Sequence, residues 1–183
     1  MLTTSRIPLG RAHMLASAIV YDAQRAGLPF DSLTPLGSLR RFAPDIGDVS
    51  LLGVAAAGDH QQLIEEFVRL RPFLRVSSRS PASVTAETER GPVTLYLATR
   101  EHAGAALVWH TGSIRHTRLL QGLARQRGLT FDAGRLIDAE GAAAATADET
   151  AFYARLGLPF IAPELREGDD EIAVAQRGEL PGL

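Results

Sequence analysis

The sequence contains no cysteine and no lysine. The absence of cysteine excludes a disulfide framework and any cysteine-ligated zinc or iron–sulfur site. All 19 cationic residues are arginines, a bias that a GC-rich genome explains as readily as a need for bidentate phosphate contacts. No apolar run approaches the ~20 residues of a bilayer-spanning helix, and the N-terminal stretch has polar residues throughout, with no export-signal core. We therefore expect a cytoplasmic location and no membrane partner.

Charge and composition limit the classes to which the protein can belong. The chain has 183 residues, of which 45% are hydrophobic and 22% charged, values typical of a globular domain with a real core. The net charge is −2, so affinity for nucleic acid would have to come from local basic patches. Residues 115–127 form one such stretch, with four arginines and no acid, whereas residues 164–171 are mainly acidic.

The spacing of apolar residues predicts secondary structure. In the first half it predicts helices over residues 10–26 and 61–70, a buried strand over 49–54, and strands over 73–76, 83–87 and 93–98. Residues 28–36 are expected to form a loop, and the turn at 90–92 makes the last two strands an antiparallel hairpin. Strands that follow one another without intervening helices indicate an α+β sheet and argue against a doubly wound one.

The second half of the sequence has a different character. It predicts helices over residues 103–110 and 114–127, a hairpin around Gly134, and a last helix from Asp148 or Thr150 to Leu156. The boundary between two subdomains is therefore expected near residue 100.

Residues 37–52, GSLRRFAPDIGDVSLL, carry the first chemical signal. Backbone amides at the Gly37–Ser38 turn and the guanidinium of Arg41 are suited to phosphate oxygens. Asp48 at the start of the following strand is the type of ligand a metal ion uses. The next position on the same face of that strand is Ser50, which is not.

Three further motifs accompany it: Arg6-Ile7-Pro8, Thr111-Gly112-Ser113, and residues 156–167, LGLPFIAPELRE. Together they resemble the family X DNA polymerases of the bacterial type, within the nucleotidyltransferase superfamily, and the resemblance covers nearly the whole chain. It implies an α+β fold: a DNA polymerase beta-like nucleotidyltransferase palm with a mixed or antiparallel sheet over residues 1–99, and a small α/β thumb, or nucleotide-selecting, subdomain over 100–183.

The resemblance also indicates what is missing. Family members hold Mg²⁺ or Mn²⁺ with three aspartates, of which this sequence keeps only Asp48 as a catalytic and metal residue. Ser50 and Thr94 stand at the other two positions, so metal binding is in doubt. Asp45, Glu87 and Glu89 are the nearby acids that could substitute, and Asp48 could instead simply cap a turn.

The phosphate-binding half of the site is better preserved. The resemblance assigns nucleotide contacts to eight residues: Arg6, Gly37, Ser38, Arg41, Gly47, His110, Gly112 and Ser113. Arg40 is expected to support the fold through an internal ion pair, and Trp109 to anchor the core. The alternative for the arginines is pairing with acids such as Asp45.

The helix after Thr111-Gly112-Ser113 is expected to face DNA through Arg115, Arg118 and Gln121. Thr117 stands where the family has a base-contacting asparagine, and Gln121 where it has a template-contacting arginine. His116, on the polar side of this helix, is expected at the surface.

Three functions remain open from the sequence. The favoured one is a degenerate polymerase module of DNA repair that binds gapped or primer–template DNA, or a dNTP, without chemistry. The second is an active gap-filling DNA polymerase. The third is a structural linker between DNA-binding and phosphoesterase domains of a longer chain.

Overall fold

The fold is described for residues 6–182 by a computed structural model, in which the backbone divides after Arg100. The first unit is Met1–Arg100 and the second is Glu101–Leu183. None of the helices in the described part of the chain is both long and apolar enough to cross a lipid bilayer.

The first unit is built on a mixed five-stranded sheet. Its strands are β2 (Ser32–Pro35), β4 (Val49–Val54), β7 (Gly91–Ala98), β6 (Ser83–Thr88) and β5 (Arg75–Ser80), in that spatial order. β4 and β7 run parallel, and the other neighbouring pairs are antiparallel. A short antiparallel pair, β1 (Ile7–Pro8) with β3 (Asp45–Ile46), precedes β4. The predicted α+β class and the β6–β7 hairpin are confirmed.

The described residues of this unit also form the α-helices α1 (Leu9–Arg25), α2 (Gly37–Arg40) and α3 (His60–Phe67). Residues of α1 and α3 pack with Leu51 and Leu95 in one apolar core. Because successive side chains of a strand point to opposite faces, Ser50 and Thr94 lie on the other face of the sheet.

The second unit is largely helical. It contains α4 (Ala103–Thr111), α5 (Ile114–Gln126), the antiparallel hairpin β8 (Thr130–Asp132) and β9 (Arg135–Ile137), α6 (Glu149–Arg155), and α7 (Glu171–Arg177). Its core is formed around Phe131, Phe152 and Tyr153. The Asp148 side chain caps α6 by accepting a hydrogen bond from the Ala151 amide at 2.7 Å, as the sequence predicts for one of its two candidate caps.

The structure differs from the sequence prediction in several places. The strand predicted over 73–76 is β5, which begins two residues later and extends to Ser80. Residues 28–36 are not all loop, because β2 adds an antiparallel edge strand beside β4. α7 begins at Glu171, the last residue of the acidic stretch 164–171, and no helix was predicted there. The helix predicted over 61–70 ends at Phe67, three residues early.

Candidate functional site

The Gly37–Ser38 turn is fixed directly beside β4. Gly37 has φ +60°, a backbone conformation that glycine adopts without a Cβ clash, and it begins the single turn of α2. The amide of Leu36, just before it, donates to the Ser50 carbonyl at 2.9 Å. The turn that was predicted to meet phosphate therefore lies next to the strand that was predicted to carry metal ligands.

Arg6 and Gly47 come to the same edge of the unit. β1 pairs with β3 so that Ile7 faces Ile46, and the same antiparallel register carries Arg6 to the level of Gly47. The side chain of Arg6 is exposed. A Cβ added at Gly47 would meet nothing within 4 Å, so packing does not require glycine there.

Arg40 and Arg41 are both half-buried and both interact with other groups, so neither is a free cation. The internal ion pair expected of Arg40 stays a prediction. For Arg41 these interactions mean that phosphate binding would require a guanidinium that already has partners.

The three positions at which the family resemblance expects metal ligands form one row on adjacent strands. In the parallel β4–β7 register Ser50 faces Thr94, and in the antiparallel β6–β7 register Thr94 faces Thr85. Asp48 lies two residues before Ser50, and its Oδ2 accepts a hydrogen bond of 2.8 Å from the Ser50 hydroxyl. The hydroxyls of Thr94 and Thr85 are 3.0 Å apart. The predicted register of Ser50 and Thr94 is confirmed.

This row does not fit the Mg²⁺ or Mn²⁺ pair of nucleotidyl transfer. Two cations around one phosphate need several carboxylate oxygens, because Mg²⁺ is recruited by carboxylates together with substrate phosphate. The row offers one carboxylate and three hydroxyls. Within residues 6–182, which include Asp45, Glu87 and Glu89, no three His, Asp or Glu side chains gather in a way that could hold a metal ion.

Tyr96 lies two residues beyond Thr94 on the same face of β7. Burial raises the pKa of its phenol above the ordinary value, and the negative charge of Asp48 raises it further by a smaller amount. The hydroxyl therefore stays protonated at neutral pH. Sequence reasoning did not identify this residue, although the period of two from Thr94 places it on the same face.

In the second unit, Gly112 and Ser113 lie between α4 and α5. Their peptide bond is cis, and Gly112 has φ +72°. The Ser113 hydroxyl accepts from the His116 amide at 3.2 Å and donates to the Glu167 carbonyl at 3.0 Å. The Ser113 amide donates to the Arg166 carbonyl at 2.9 Å. The segment thus caps α5. It is also hydrogen-bonded to the end of residues 156–167, LGLPFIAPELRE, which we call the closing motif.

His116 is fully buried, so its expected surface position is wrong. Its Nδ1 lies 2.6 Å from Glu171 Oε1, and its Nε2 lies 2.9 Å from the Tyr153 hydroxyl. Glu171 also accepts hydrogen bonds from the amides of Gly168 and Asp169. Periodicity placed His116 on the polar side of α5, but α7, which the prediction lacked, covers that side.

Arg166, in the closing motif, is the largest fully buried side chain of the described residues. It lies 2.7 Å from Glu149 Oε1, donates to the Ile161 carbonyl, and packs against the rings of Tyr153 and Phe160. A buried charge is tolerated only when it is paired and hydrogen-bonded. The sequence signal was its position as the single cation of the acidic stretch.

Trp109, His110 and Thr117 are the remaining residues of α4 and α5 for which the sequence predicted a role. Trp109 packs edge-on against Phe131 with ring centroids 5.2 Å apart, as expected of a core anchor. Burial lowers the pKa of His110 to about 4, so this ring is neutral near pH 7. Thr117 is buried, with no hydrogen-bond partner for its hydroxyl among the described residues.

The three residues predicted to contact DNA differ in whether their side chains already interact with other residues. Arg118 is exposed. Arg115 is exposed but lies 3.0 Å from Asp169 in a surface ion pair. The side-chain nitrogen of Gln121 donates to the Phe131 carbonyl at 3.1 Å, so its amide already supports the β8 strand. DNA contact by these residues stays a prediction.

Comparison with known proteins agrees with this geometry. Among solved structures, Leishmania infantum polymerase beta in a ternary P/T complex matches with a TM-score of 0.78 and 15% identity over 89% of this chain and 77% of that one. The same enzyme in a ternary gap complex matches with a TM-score of 0.77 and 15% identity, over 89% of this chain and 71% of that one. The fold is therefore a polymerase beta-like fold.

Sequence comparisons narrow the class. Residues 106–167 match the family model described as DNA polymerase beta thumb. The DNA polymerase/3′-5′ exonuclease PolX of Bacillus subtilis (strain 168) is 30% identical over 74% of this chain. The chain is thus family X DNA polymerase-like. It spans 24% of the length of that curated relative.

Proposed function

We propose that this chain is a polymerase module of DNA repair that binds a nucleotide or DNA and has lost metal-assisted nucleotidyl transfer. The observation that carries the proposal is the register of Ser50 and Thr94, two hydroxyls in one row beside a single carboxylate. A cytoplasmic location, expected from the sequence, stays part of the proposal.

The chemistry explains why two substitutions are decisive. In nucleotidyl transfer the cations hold the attacking 3′-oxygen, the α-phosphate and the pyrophosphate leaving group in line. A neutral hydroxyl does not offset the charge of a cation. Loss of each aspartate removes several kcal/mol of transition-state stabilisation, and about 1.4 kcal/mol is a factor of ten in rate.

The neighbouring phosphate-binding elements support retained binding. The Gly37–Ser38 turn is adjacent to β4, and the exposed Arg6 reaches the level of Gly47 at the same edge. Backbone amides and a guanidinium bind phosphate oxygens without a metal. A triphosphate could therefore be held beside a centre that does not transfer it.

The test is primer extension across a gap, with Mg²⁺ or Mn²⁺, by the unaltered chain. We expect no extension. Nucleotide binding is measured in parallel with a fluorescent dNTP analogue. Ser38→Ala should weaken it, whereas Ser77→Ala, which removes an exposed hydroxyl on β5, should not. Efficient extension that Asp48→Ala abolishes would refute the proposal and establish an active gap-filling polymerase.

A further inference from the structure

The helical side of the first unit carries a groove lined by arginines. Arg25, Arg69 and Arg71 line a concavity of about 420 Å³ together with Asp22. Arg71 also lines an adjoining concavity of about 350 Å³, which adds Arg90 and Glu89. We call the two together the arginine groove. Because α1 and α3 cover the opposite face of the sheet from Ser50 and Thr94, this groove is separate from the candidate nucleotide site.

The guanidiniums of the groove are not neutralised. Within residues 6–182, none of Arg25, Arg69, Arg71 and Arg90 makes an ion pair or a side-chain hydrogen bond, whereas Arg100 and Arg115 pair with acids at 2.7 and 3.0 Å. Four arginines against Asp22 and Glu89 leave a local excess of two positive charges on a chain whose net charge is −2.

The length of the groove fits an extended polyanion. Leu15, Ala18, Asp22 and Arg25 recur along one side of α1 and line the two concavities in turn. From Leu15 to Arg25 the helix rises about 15 Å at 1.5 Å per residue. That distance corresponds to about four nucleotides of a strand that keeps the stacked, B-form spacing of about 3.4 Å.

An aromatic ring stands beside the arginines. Tyr21 is 61% exposed and lies four residues before Arg25, so the two side chains are neighbours on α1. A free aromatic ring beside guanidiniums is the combination that binds single-stranded nucleic acid, because bases stack on the ring while arginines meet the phosphates. An acidic peptide would use the arginines but gain nothing from stacking.

We propose that the arginine groove binds the backbone of single-stranded nucleic acid, with a base stacked on Tyr21. The site is electrostatic and adds to the candidate nucleotide site. It neither contains nor needs the residues of the Asp48 row.

The experiment measures binding of a fluorescein-labelled single-stranded DNA to the full chain by anisotropy, between about 50 and 200 mM salt. The groove variant carries Arg25→Gln, Arg69→Gln and Arg71→Gln. The control variant removes three exposed arginines elsewhere, Arg75→Gln, Arg135→Gln and Arg155→Gln, so both variants have the same net charge.

For single strands, log K falls with log salt by about 0.7 per phosphate contact. The magnitude of this slope should therefore decrease by about 2 in the groove variant and by less than about 0.7 in the control variant. Tyr21→Leu should weaken binding about fivefold or more and leave the slope unchanged. These two signatures separate stacking from charge.

Equal loss of slope in the groove and control variants would overturn the proposal. Displacement of the DNA by polyglutamate of equal charge, together with an unaffected Tyr21→Leu variant, would refute nucleic acid as the ligand. Binding of the fluorescent dNTP analogue, measured on the same groove variant, should be unchanged. Failure of the groove is thus distinguished from failure of the proposed nucleotide site.

Discussion

Introducing two carboxylates beside Asp48, by Ser50→Asp together with Thr94→Asp, should make the first unit depend on metal for its stability. Neighbouring strands lie about 4.8 Å apart, so the new carboxylates would stand about 5 Å from each other. At that distance two like charges repel by about 3 kcal/mol at an effective dielectric of 20, and by about 0.8 kcal/mol in water. Ser50 is only 8% exposed, which favours the larger value.

A second cost comes from Asp48. Its carboxylate would lose the 2.8 Å hydrogen bond from Ser50, and a bond to a charged group contributes about 1.5–3 kcal/mol. Without metal, the double variant should therefore be about 4.5–6 kcal/mol less stable than the unaltered chain. A cation at 100 times its Kd would return about 2.7 kcal/mol.

The assay is urea unfolding with EDTA, Mg²⁺ or Mn²⁺, combined with hydrogen exchange of the β7 amides, which reports on the first unit alone. The matched control is Ser50→Asn with Thr94→Asn, which adds similar volume without charge. The reasoning fails if the aspartate variant is as stable as the unaltered chain in EDTA, or if Mn²⁺ stabilises the asparagine control equally.

Further predictions concern the second unit. Protonation of His110 costs stability, because its pKa is lowered from 6.5 to about 4 in the folded chain; stability should decline by about 3 kcal/mol as the pH falls from 6.5 to 4, and urea titrations should show no such decline from this site in His110→Gln. Gly104→Ala would place a methyl group against backbone carbonyls and should destabilise severely, whereas Gly122→Ala, with nothing within 4 Å, should stabilise by about 0.5–1 kcal/mol in thermal unfolding. His116→Leu removes one of three hydrogen bonds to the buried Glu171 carboxylate and should cost about 1.5–3 kcal/mol in denaturant unfolding, against less than about 1 kcal/mol for Arg115→Gln at its exposed pair; equal losses would contradict the argument from burial.

Strong periodicity and turn chemistry made much of the fold predictable. α1, β4 and the β6–β7 hairpin follow from apolar spacing and a glycine–proline turn, which are local signals. β2 could not be found this way, because its four residues become a strand only through pairing with β4. α7 was missed because its seven residues begin in an acidic stretch and have no side-chain cap.

Some residues of the candidate site could be predicted from the sequence, and others could not. The row of Asp48, Ser50 and Thr94 was predictable, since alternation and the motif register fix which positions share a face. The burial of His116 was not predictable from its own helix, because it depends on Glu171, which lies 55 residues further along the chain. The engagement of Gln121 with a β8 carbonyl is likewise a tertiary contact with no local signal.

The outer strand β5 also has a consequence for the behaviour of the first unit in concentrated solution. All six of its residues are exposed, and a bare strand of this kind is a template onto which a second molecule could add its own edge. Its pairing with β6 shifts register between Val76 and Ser78, and Arg75 and Arg79 place cations along it. The irregular backbone breaks the continuous ladder that a foreign strand would need, and two copies would meet with like charges opposed. This edge therefore resists sheet extension from one molecule to the next.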